Sequence, residues 1–295
     1  RYNPLYQSGP LAVLCLLVLI GTGLYLLIFY RIGAAYESVA AIEAQWWGGR
    51  WIRALHNYAG DLMIVAIVVH LLRMLLQGRT WGPRALAWIR GVVLLGIVLM
   101  SGWTGAVLVW DAQAQVVAME GARLADVLPL FSEPILRTFT LPEEMPSSFF
   151  FLNLILHMVL PVALLGGLWV HTLRVVRPVL LPPKALRRWM LALLLAAALG
   201  WPMGMLPKAD PLAVPGPVPV DWFYNVWLLL ARHAAPPVTL ASLTAFAAVL
   251  LAAPWWWRPP RRERPQPSVS NERVCTGCTQ CFQDCPYDAI AMVPA

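Results

Sequence analysis

Four histidines inside two long apolar stretches constrain this chain more than any other feature. His56 and His70 have thirteen residues between them, and His157 and His171 repeat that spacing about a hundred positions later. On an α-helix, fourteen steps of about 100° return to nearly the same face and climb roughly 21 Å. Each pair therefore puts two imidazoles on one face of a helix, one near each side of a bilayer.

Two such helices that face each other would pair His56 with His157 and His70 with His171. The result is two bis-histidine sites stacked across the membrane, an arrangement that can hold two haems and carry electrons through the bilayer. Ionisable side chains within membrane spans are costly and usually functional, which favours ligation. The alternative is four histidines that only pack or form hydrogen bonds.

The composition is that of an integral membrane protein. Hydrophobic residues make up 59% of the chain and charged residues 13%. Stretches of roughly 20 apolar residues recur, which is enough to cross a hydrocarbon core. We predict an all-α membrane protein with six spanning helices, A to F, over about 9–30, 51–77, 89–110, 150–177, 187–206 and 237–257. The net charge of +7 follows the membrane topology, so we expect a lipid environment and no nucleic-acid partner.

The basic residues gather at alternate ends of the predicted helices. Fifteen of the 22 Lys and Arg fall on one side: Arg1, Arg73, Arg79, Arg84, Arg90, Arg174, Arg177, Lys184, Arg187, Arg188, Arg258, Arg261, Arg262, Arg264 and Arg273. The positive-inside rule makes that side, the n side, cytoplasmic and predicts a bacterial cytoplasmic-membrane protein with both termini there. The connections 111–149 and 207–236 then lie on the opposite, p side.

The predicted topology gives each histidine pair a side. Helices B and D both run from the p side to the n side, so their first histidines form the p-side pair and their second histidines the n-side pair. Arg53 and Arg73 lie one turn outside the histidines of helix B, where each could bind a haem propionate or simply extend to the interface. Glycines in helices A and C would let a flat macrocycle approach or serve helix packing: Gly21, Gly23, Gly91, Gly96, Gly102 and Gly105.

The predicted core has four helices, with one histidine pair on the second helix and one on the fourth. This four-helix dihaem core resembles cytochrome b of the Rieske/cytochrome b complexes, which oxidise quinol. The resemblance covers roughly residues 8–257. The segment 102–111, which contains Gly102, Gly105 and Asp111, is similar to the family's third helix and the quinol-site segment after it. The resemblance implies two haems b, a quinone site, a Rieske protein and a c-type cytochrome as partners, and a homodimer.

A second segment is similar to the loop that carries the family's Pro-Glu-Trp-Tyr motif, whose acid takes a proton from quinol. It consists of 209–213 followed by Asp221, Trp222 and Phe223. The motif positions contain Val220, Asp221, Trp222 and Phe223, so the acid is kept as Asp while the Pro and the Tyr are lost. The resemblance implies that Asp221 accepts a proton beside Trp222. An ordinary helix N-cap is the alternative for Asp221.

The stretch 15–31 is similar to the first helix of the chloroplast and cyanobacterial branch of this family. In that branch a cysteine binds a third haem through one thioether, beside the n-side haem. The resemblance therefore implies a covalent haem c at Cys15, near the depth of His70 and His171. A small buried residue is the alternative. The core 1–178 and the quinol-site segment 179–257, which are separate chains in that branch, are fused here.

A cysteine motif lies at the end of the chain, beyond a polar, Pro-rich linker over 258–270. Four cysteines and a proline form a bacterial ferredoxin run: Cys275, Cys278, Cys281, Cys285 and Pro286. Thiolates at these spacings bind a 4Fe–4S cluster, with zinc as the weaker alternative. We predict that 271–295 forms a small α+β ferredoxin-like half-domain, with a short strand from Tyr287 to Met292.

A single cysteine run implies a second half, because in two-cluster ferredoxins the fourth cysteine of each run binds the other cluster. We predict that two identical tails pair across a dimer axis and that Cys285 completes the partner's cluster. A self-contained cluster, or a half supplied by a different subunit, is the alternative.

These features together predict a cytochrome b subunit that oxidises quinol on the p side, near Asp111, Asp221 and Trp222. One electron would leave to a p-side partner, and the other would cross from the p-side haem to the n-side haem. The alternative is a membrane relay that links a soluble ferredoxin-type donor to the quinone pool, without quinol oxidation on the p side.

Overall fold

The computed structural model of the chain describes residues 3–129, 133–139, 145–173, 179–213, 216–219, 221–258, 271, 273–279, 281–282 and 290–292. These residues form nine α-helices: α1 (Ser8–Phe29), α2 (Ala35–Ala44), α3 (Gly49–Leu76), α4 (Ala85–Val107), α5 (Ala112–Ala125), α6 (Ser147–Thr172), α7 (Lys184–Gly200), α8 (Trp227–Ala231) and α9 (Pro236–Trp256). Within the described residues, the only β-type pairing is an isolated antiparallel bridge between Asp111 and Lys208. The helical fold class is therefore confirmed.

Five helices are long and apolar enough to cross a membrane, namely α1, α3, α4, α6 and α9. They correspond to the predicted helices A, B, C, D and F. Helix α7, the predicted helix E, has 17 residues and is about 26 Å long at 1.5 Å per residue. A hydrocarbon core is about 30 Å thick. The sixth span is therefore not confirmed.

Two further helices, α2 and α5, lie in connections that the sequence analysis did not resolve. Helix α5 begins after Asp111, whose Oδ1 accepts hydrogen bonds from the backbone N–H groups of Gln113 and Ala114 at 3.1 and 3.0 Å. A carboxylate at this position satisfies N–H groups that have no partner within the helix. The connection 111–149 therefore starts with a capped helix.

The membrane helices pack as two antiparallel pairs, α1 with α3 and α4 with α6. Buried residues from all four helices meet in one cluster: Cys15, Leu16, Met63, Ile64, Val98 and Leu164. Helix α9 is joined to α4 by the indole of Trp88, which donates to the Leu250 carbonyl at 2.7 Å. Helix α7 is joined to α3 by Tyr58, whose hydroxyl donates to the Trp201 carbonyl at 2.6 Å.

The segment 207–209 is fastened to the end of α4. Trp110 has a left-handed backbone (φ 55°), and its carbonyl accepts from the Ala209 N–H at 3.1 Å, while Ala112 donates to Pro207 at 2.9 Å. A non-glycine residue in this conformation is strained and persists only where its surroundings hold it. Here the Trp110 ring is buried against three phenylalanines: Phe139, Phe149 and Phe150.

An ion pair joins the same segment to α2. Lys208 Nζ donates to Glu37 Oε1 at 2.7 Å, and this hydrogen bond lowers the pKa of the Glu37 carboxyl. Beside this pair is a cavity of about 330 Å³, bounded by Trp110, Phe150 and the segment 208–212. Helices α2 and α4 and the loop after α7 are thus tied together at one end of the bundle.

Candidate functional site

The structure places the four histidines in the two predicted pairs. Helix α3 carries His56 and His70, and α6 carries His157 and His171. His56 interacts electrostatically with His157, and His70 with His171. The bundle therefore has two levels of paired imidazoles, to which we apply the predicted names p side and n side.

Each histidine lies against a glycine of a neighbouring helix. The distances from a Cβ placed on the glycine to the nearest ring atom are 3.2 Å for Gly9 and His70, 3.3 Å for Gly23 and His56, 3.4 Å for Gly91 and His171, and 2.8 Å for Gly105 and His157. Both glycine pairs are fourteen positions apart, which is the spacing of the histidines. The sequence analysis missed Gly9, and this spacing would have found it.

The other glycines named from the sequence have different surroundings. A Cβ on Gly21 or Gly96 would meet nothing within 4 Å. Gly102 contacts the ring of Tyr224 and not a histidine. A tyrosine ring thus lies against the bare backbone of Gly102, which fits the packing alternative, and a role of Gly102 beside a macrocycle stays a prediction.

The p-side imidazoles have hydrogen-bond partners at Nδ1. His56 Nδ1 lies 2.9 Å from Thr22 Oγ1. His157 Nδ1 lies 3.1 Å from Thr104 Oγ1 and 3.0 Å from the Ser101 carbonyl. A carbonyl oxygen only accepts, so Nδ1 of His157 carries the proton, and Nε2 keeps its lone pair for a metal.

The n-side imidazoles line a cavity of about 380 Å³ together with Gly9, Gly91 and apolar side chains. Nδ1 of His70 and of His171 is buried and has no hydrogen-bond partner among the residues the structure describes. Two facing imidazoles, bare glycine backbone and an apolar cavity fit a flat macrocycle that is ligated on both faces. Arg79 also lines this cavity, and the sequence analysis did not single it out.

The two arginines named as propionate partners bind within the chain. Arg53 donates to Glu43 Oε2 at 2.8 Å, and both side chains are mostly buried. Arg73 donates to the Tyr6 carbonyl at 2.6 Å, and its guanidinium lies 5.6 Å from the centre of the Tyr6 ring. These contacts hold α2 and the N-terminal segment against the ends of α3, so propionate binding stays a prediction.

Cys15 is buried, with 1% of its surface exposed. It lies six residues beyond Gly9, which contacts His70, and eight residues before Gly23, which contacts the p-side pair. At 1.5 Å per residue, Cys15 is about 9 Å deeper than Gly9. Cys15 therefore lies between the two histidine levels, closer along α1 to the n-side level than to the p-side level, and a covalent haem at this thiol stays a prediction.

Asp221 caps a turn. Its Oδ1 accepts from the N–H groups of Phe223 and Tyr224 at 2.9 and 3.1 Å, and its Oδ2 accepts from Asn225 Nδ2 at 3.0 Å. Trp222 beside it has 67% of its surface exposed. The capping alternative for Asp221 therefore describes its contacts, and its role as a proton acceptor stays a prediction.

Asp111 also has a structural position. Besides capping α5, it accepts at Oδ2 from the Leu206 N–H at 3.3 Å, and only 7% of its surface is exposed. Its carboxylate thus joins the end of α4 to the loop after α7, and the expectation that quinol binds near Asp111 stays a prediction.

The turn capped by Asp221 inserts Tyr224 between α3 and α4. The Tyr224 hydroxyl donates to the Gly60 carbonyl at 2.9 Å, and burial raises the pKa of this phenol above its usual range. Asp61, which follows Gly60 in α3, interacts electrostatically with both Asp221 and Tyr224. The sequence analysis missed both residues, although a carboxylate inside a membrane span is itself a functional signal.

The ferredoxin-like segment is not confirmed. Cys275, Cys278 and Cys281 are exposed, and no three potential ligands come together as a metal site within the described part of the chain. Cys285 and most of the linker 258–270 lie outside the described residues, and the described residues 290–292 form no strand. Because ligation and folding are coupled in small metal-binding segments, the cluster stays a prediction.

Comparisons with known proteins identify the family of this chain. The family model of cytochrome b/b6/petB matches residues 2–178. The cytochrome b subunit of menaquinol:cytochrome c reductase from Geobacillus thermodenitrificans is 31% identical over 180 residues, which cover 58% of this chain and 79% of that protein. Cytochrome b6 of Heliobacterium mobile is 33% identical over 175 residues, covering 57% and 81% respectively.

A solved structure described as a hyperthermophilic respiratory Complex III has a similar fold. Its TM-score is 0.68 at 18% identity, and the match covers 85% of this chain and 75% of that one. The likeness in fold thus extends beyond the residues that the family model matches. Because that model matches more than half of the residues and the curated relatives exceed 30% identity over most of their length, the chain belongs to the cytochrome b/b6 family.

Proposed function

We propose that this chain is the cytochrome b subunit of a membrane complex that oxidises quinol and passes one electron across the bilayer. The two levels of paired imidazoles, each set against glycine backbone, carry this proposal. Electron relay through a membrane needs redox centres on both sides, and bis-histidine sites about 20 Å apart along two helices supply them. The menaquinol:cytochrome c reductase relatives support the same reaction class.

The residues of the chain would hold two haems b. His56 and His157 would hold the p-side haem, and His70 and His171 the n-side haem. When bound, the haems supply one-electron chemistry that carries one of the two quinol electrons to the n side, while the other leaves to a one-electron acceptor on a partner protein. The apolar side chains between the two levels exclude water from this route.

Quinol would bind on the p side, beside the turn capped by Asp221. Oxidation of quinol to quinone releases two electrons and two protons. Asp221 and Asp61 are the carboxylates placed to take one proton, and Tyr224 holds the turn against α3. The second proton leaves with the partner that takes the other electron. The partners would be a Rieske protein and a c-type cytochrome, around a homodimer with both termini on the cytoplasmic side.

The proposal is tested with the purified complex. Its optical spectrum should show two b haems per chain, and added quinol should reduce them without any ferredoxin. An inhibitor that competes with quinol on the p side should block this reduction. If haem reduction requires a soluble ferredoxin and ignores such inhibitors, the relay function replaces quinol oxidation. Asp221 accepts all three of its hydrogen bonds from residues of its own turn. This observation favours the relay function.

A covalent haem c at Cys15 is supported by the resemblance of 15–31 to the chloroplast and cyanobacterial branch, in which a cysteine holds such a haem. We expect the denatured wild-type chain to carry haem in electrophoresis, because a thioether would keep this haem on the chain. Cys15→Ser should abolish that signal and keep both b haems. A denatured wild-type chain without haem would contradict the third-haem prediction.

A 4Fe–4S cluster on each tail is supported by the spacing of the four cysteines. We expect Cys285 of one chain to complete the cluster held by Cys275, Cys278 and Cys281 of its partner. The test is a heterodimer of one wild-type chain and one Cys285→Ala chain, with the clusters followed by paramagnetic resonance. Loss of the wild-type chain's cluster is the expected result. Damage confined to the cluster of the mutant chain contradicts the exchange.

A further inference from the structure

The two histidine levels differ in how their Nδ1 atoms are held, and this difference has a redox consequence. We propose that Thr22 and Thr104 are positioning residues whose hydrogen bonds to the p-side imidazoles lower the reduction potential of the haem that these imidazoles would hold. The proposal rests on the proposed function, because it requires a haem b at each level.

The hydroxyl of Thr22 fixes the direction of its hydrogen bond to His56. Thr22 Oγ1 lies 2.7 Å from the Val18 carbonyl, one turn earlier in α1. A hydroxyl has one proton, and a carbonyl can only accept it. The Thr22 oxygen is therefore the acceptor for His56 Nδ1–H at 2.9 Å.

Thr104 repeats this arrangement on α4. Its hydroxyl lies 3.0 Å from the Met100 carbonyl and 2.9 Å from the Ser101 carbonyl, so its oxygen accepts from His157 Nδ1–H at 3.1 Å. The Ser101 carbonyl accepts from the same N–H at 3.0 Å. In both helices the threonine directly precedes the glycine that contacts the histidine, so one Thr-Gly pair both places the ring and fixes its tautomer.

The n-side level lacks these partners within the described residues. Nδ1 of His70 and Nδ1 of His171 are buried without an acceptor. The residue that precedes Gly91 is Arg90, whose guanidinium donates to the Val170 carbonyl at 2.9 Å. The residue that precedes Gly9 is Ser8, whose buried hydroxyl has no partner there. The two levels are thus alike in ligand type and differ in the groups around the ligands.

A hydrogen bond from Nδ1–H makes Nε2 a stronger electron donor to a bound metal. A stronger donor favours ferric over ferrous iron, so these hydrogen bonds make the p-side haem harder to reduce than the same haem without them. Hydrogen bonding and axial-ligand strength are among the means by which a protein sets a haem potential.

The test is a redox titration of the purified complex, with the two b haems resolved by their optical and paramagnetic spectra. Thr22→Val and Thr104→Val keep the branched shape and remove the hydroxyl. Each variant should raise the equilibrium constant for reduction of the p-side haem by about threefold to tenfold. This factor corresponds to the free energy of one hydrogen bond. For a one-electron couple this is roughly 30–60 mV upward. Thr→Ser at either position should restore the wild-type potential.

Thr172→Val is the matched control. Thr172 follows His171 in α6, and its hydroxyl bonds to the backbone of its own helix at 3.1 Å, with no bond to an imidazole. We expect both potentials to stay at their wild-type values. If a valine variant loses its haem, the alanine variant at the same position, Thr22→Ala or Thr104→Ala, is titrated in its place.

Two outcomes would overturn the proposal. In one, a haem-retaining variant without the hydroxyl has unchanged potentials. In the other, both haems shift equally. A wild-type complex without two b haems would instead refute the proposed function.

Discussion

Gly105→Val should remove the p-side haem b and leave the n-side haem in place. A Cβ at Gly105 would lie 2.8 Å from Cε1 of His157, closer than a side-chain carbon can approach a ring. The imidazole would have to turn away from its Thr104 and Ser101 acceptors, and loss of such supporting contacts weakens metal binding by about 10–100-fold. The haem-to-protein ratio should fall from two to one, and electron transfer across the membrane should stop.

Gly96→Val is the control on the same helix. Gly96 lies nine positions before Gly105, which is half a turn away from the histidine face, and a Cβ there would meet nothing within 4 Å. Both haems should be retained. Gly91→Val, whose Cβ would lie 3.4 Å from His171, should selectively affect the n-side haem. A Gly105→Val chain that holds two haems with normal spectra would contradict the close packing of His157 on α4.

The histidine pairs could be predicted from the sequence because their spacing is a property of one helix. Two imidazoles fourteen positions apart lie on one face whatever surrounds them, and ionisable residues are conspicuous within apolar spans. The glycines that contact the histidines could not be predicted from one helix alone, because each contact depends on the position of the neighbouring helix. Gly9 and Gly23 become informative only when their spacing is compared with that of His56 and His70.

The depth of Cys15 could not be predicted from α1 alone. A residue near the start of a helix looks close to the membrane surface, but its level relative to a haem is set by how α1 slides along α3. The contact of Gly9 with His70 fixes that register, and it places Cys15 about 9 Å further in.

The surroundings of Asp221 were predicted only in part, because the side-chain directions in its turn depend on tertiary contacts. Reading the family motif position by position put Phe223 where a tyrosine was expected. In the structure the turn capped by Asp221 places Tyr224, the residue after Phe223, between α3 and α4. There the Tyr224 hydroxyl donates to the Gly60 carbonyl. Short turns set side-chain directions through their hydrogen bonds, and a sequence pattern does not contain those directions.

Asp61→Asn should slow quinol oxidation by one or more orders of magnitude, since a positioned general base contributes about 10²–10⁴-fold. Asp61 accepts one long hydrogen bond, from Asn57 at 3.4 Å, whereas both oxygens of Asp221 accept bonds from its own turn. Asp61 therefore has more lone-pair capacity to receive a proton. The haem content should not change, because Asp61 lies five residues beyond His56 on a different face of α3.

Asp221→Asn separates charge from capping at the same site, because asparagine caps a turn about as well as aspartate. If Asp61 and Asp221 handle one proton together, either single variant should slow turnover, and the double variant should be little slower than the worse single one. Asp210→Asn is the matched control, since Asp210 also accepts from its own loop, from Leu212 at 2.9 Å, and should turn over normally. Normal turnover in Asp61→Asn with slow turnover in Asp221→Asn would mean that Asp221 alone accepts the proton from quinol. Normal turnover in both would leave these residues as a polar helix position and a cap, and would favour the relay function.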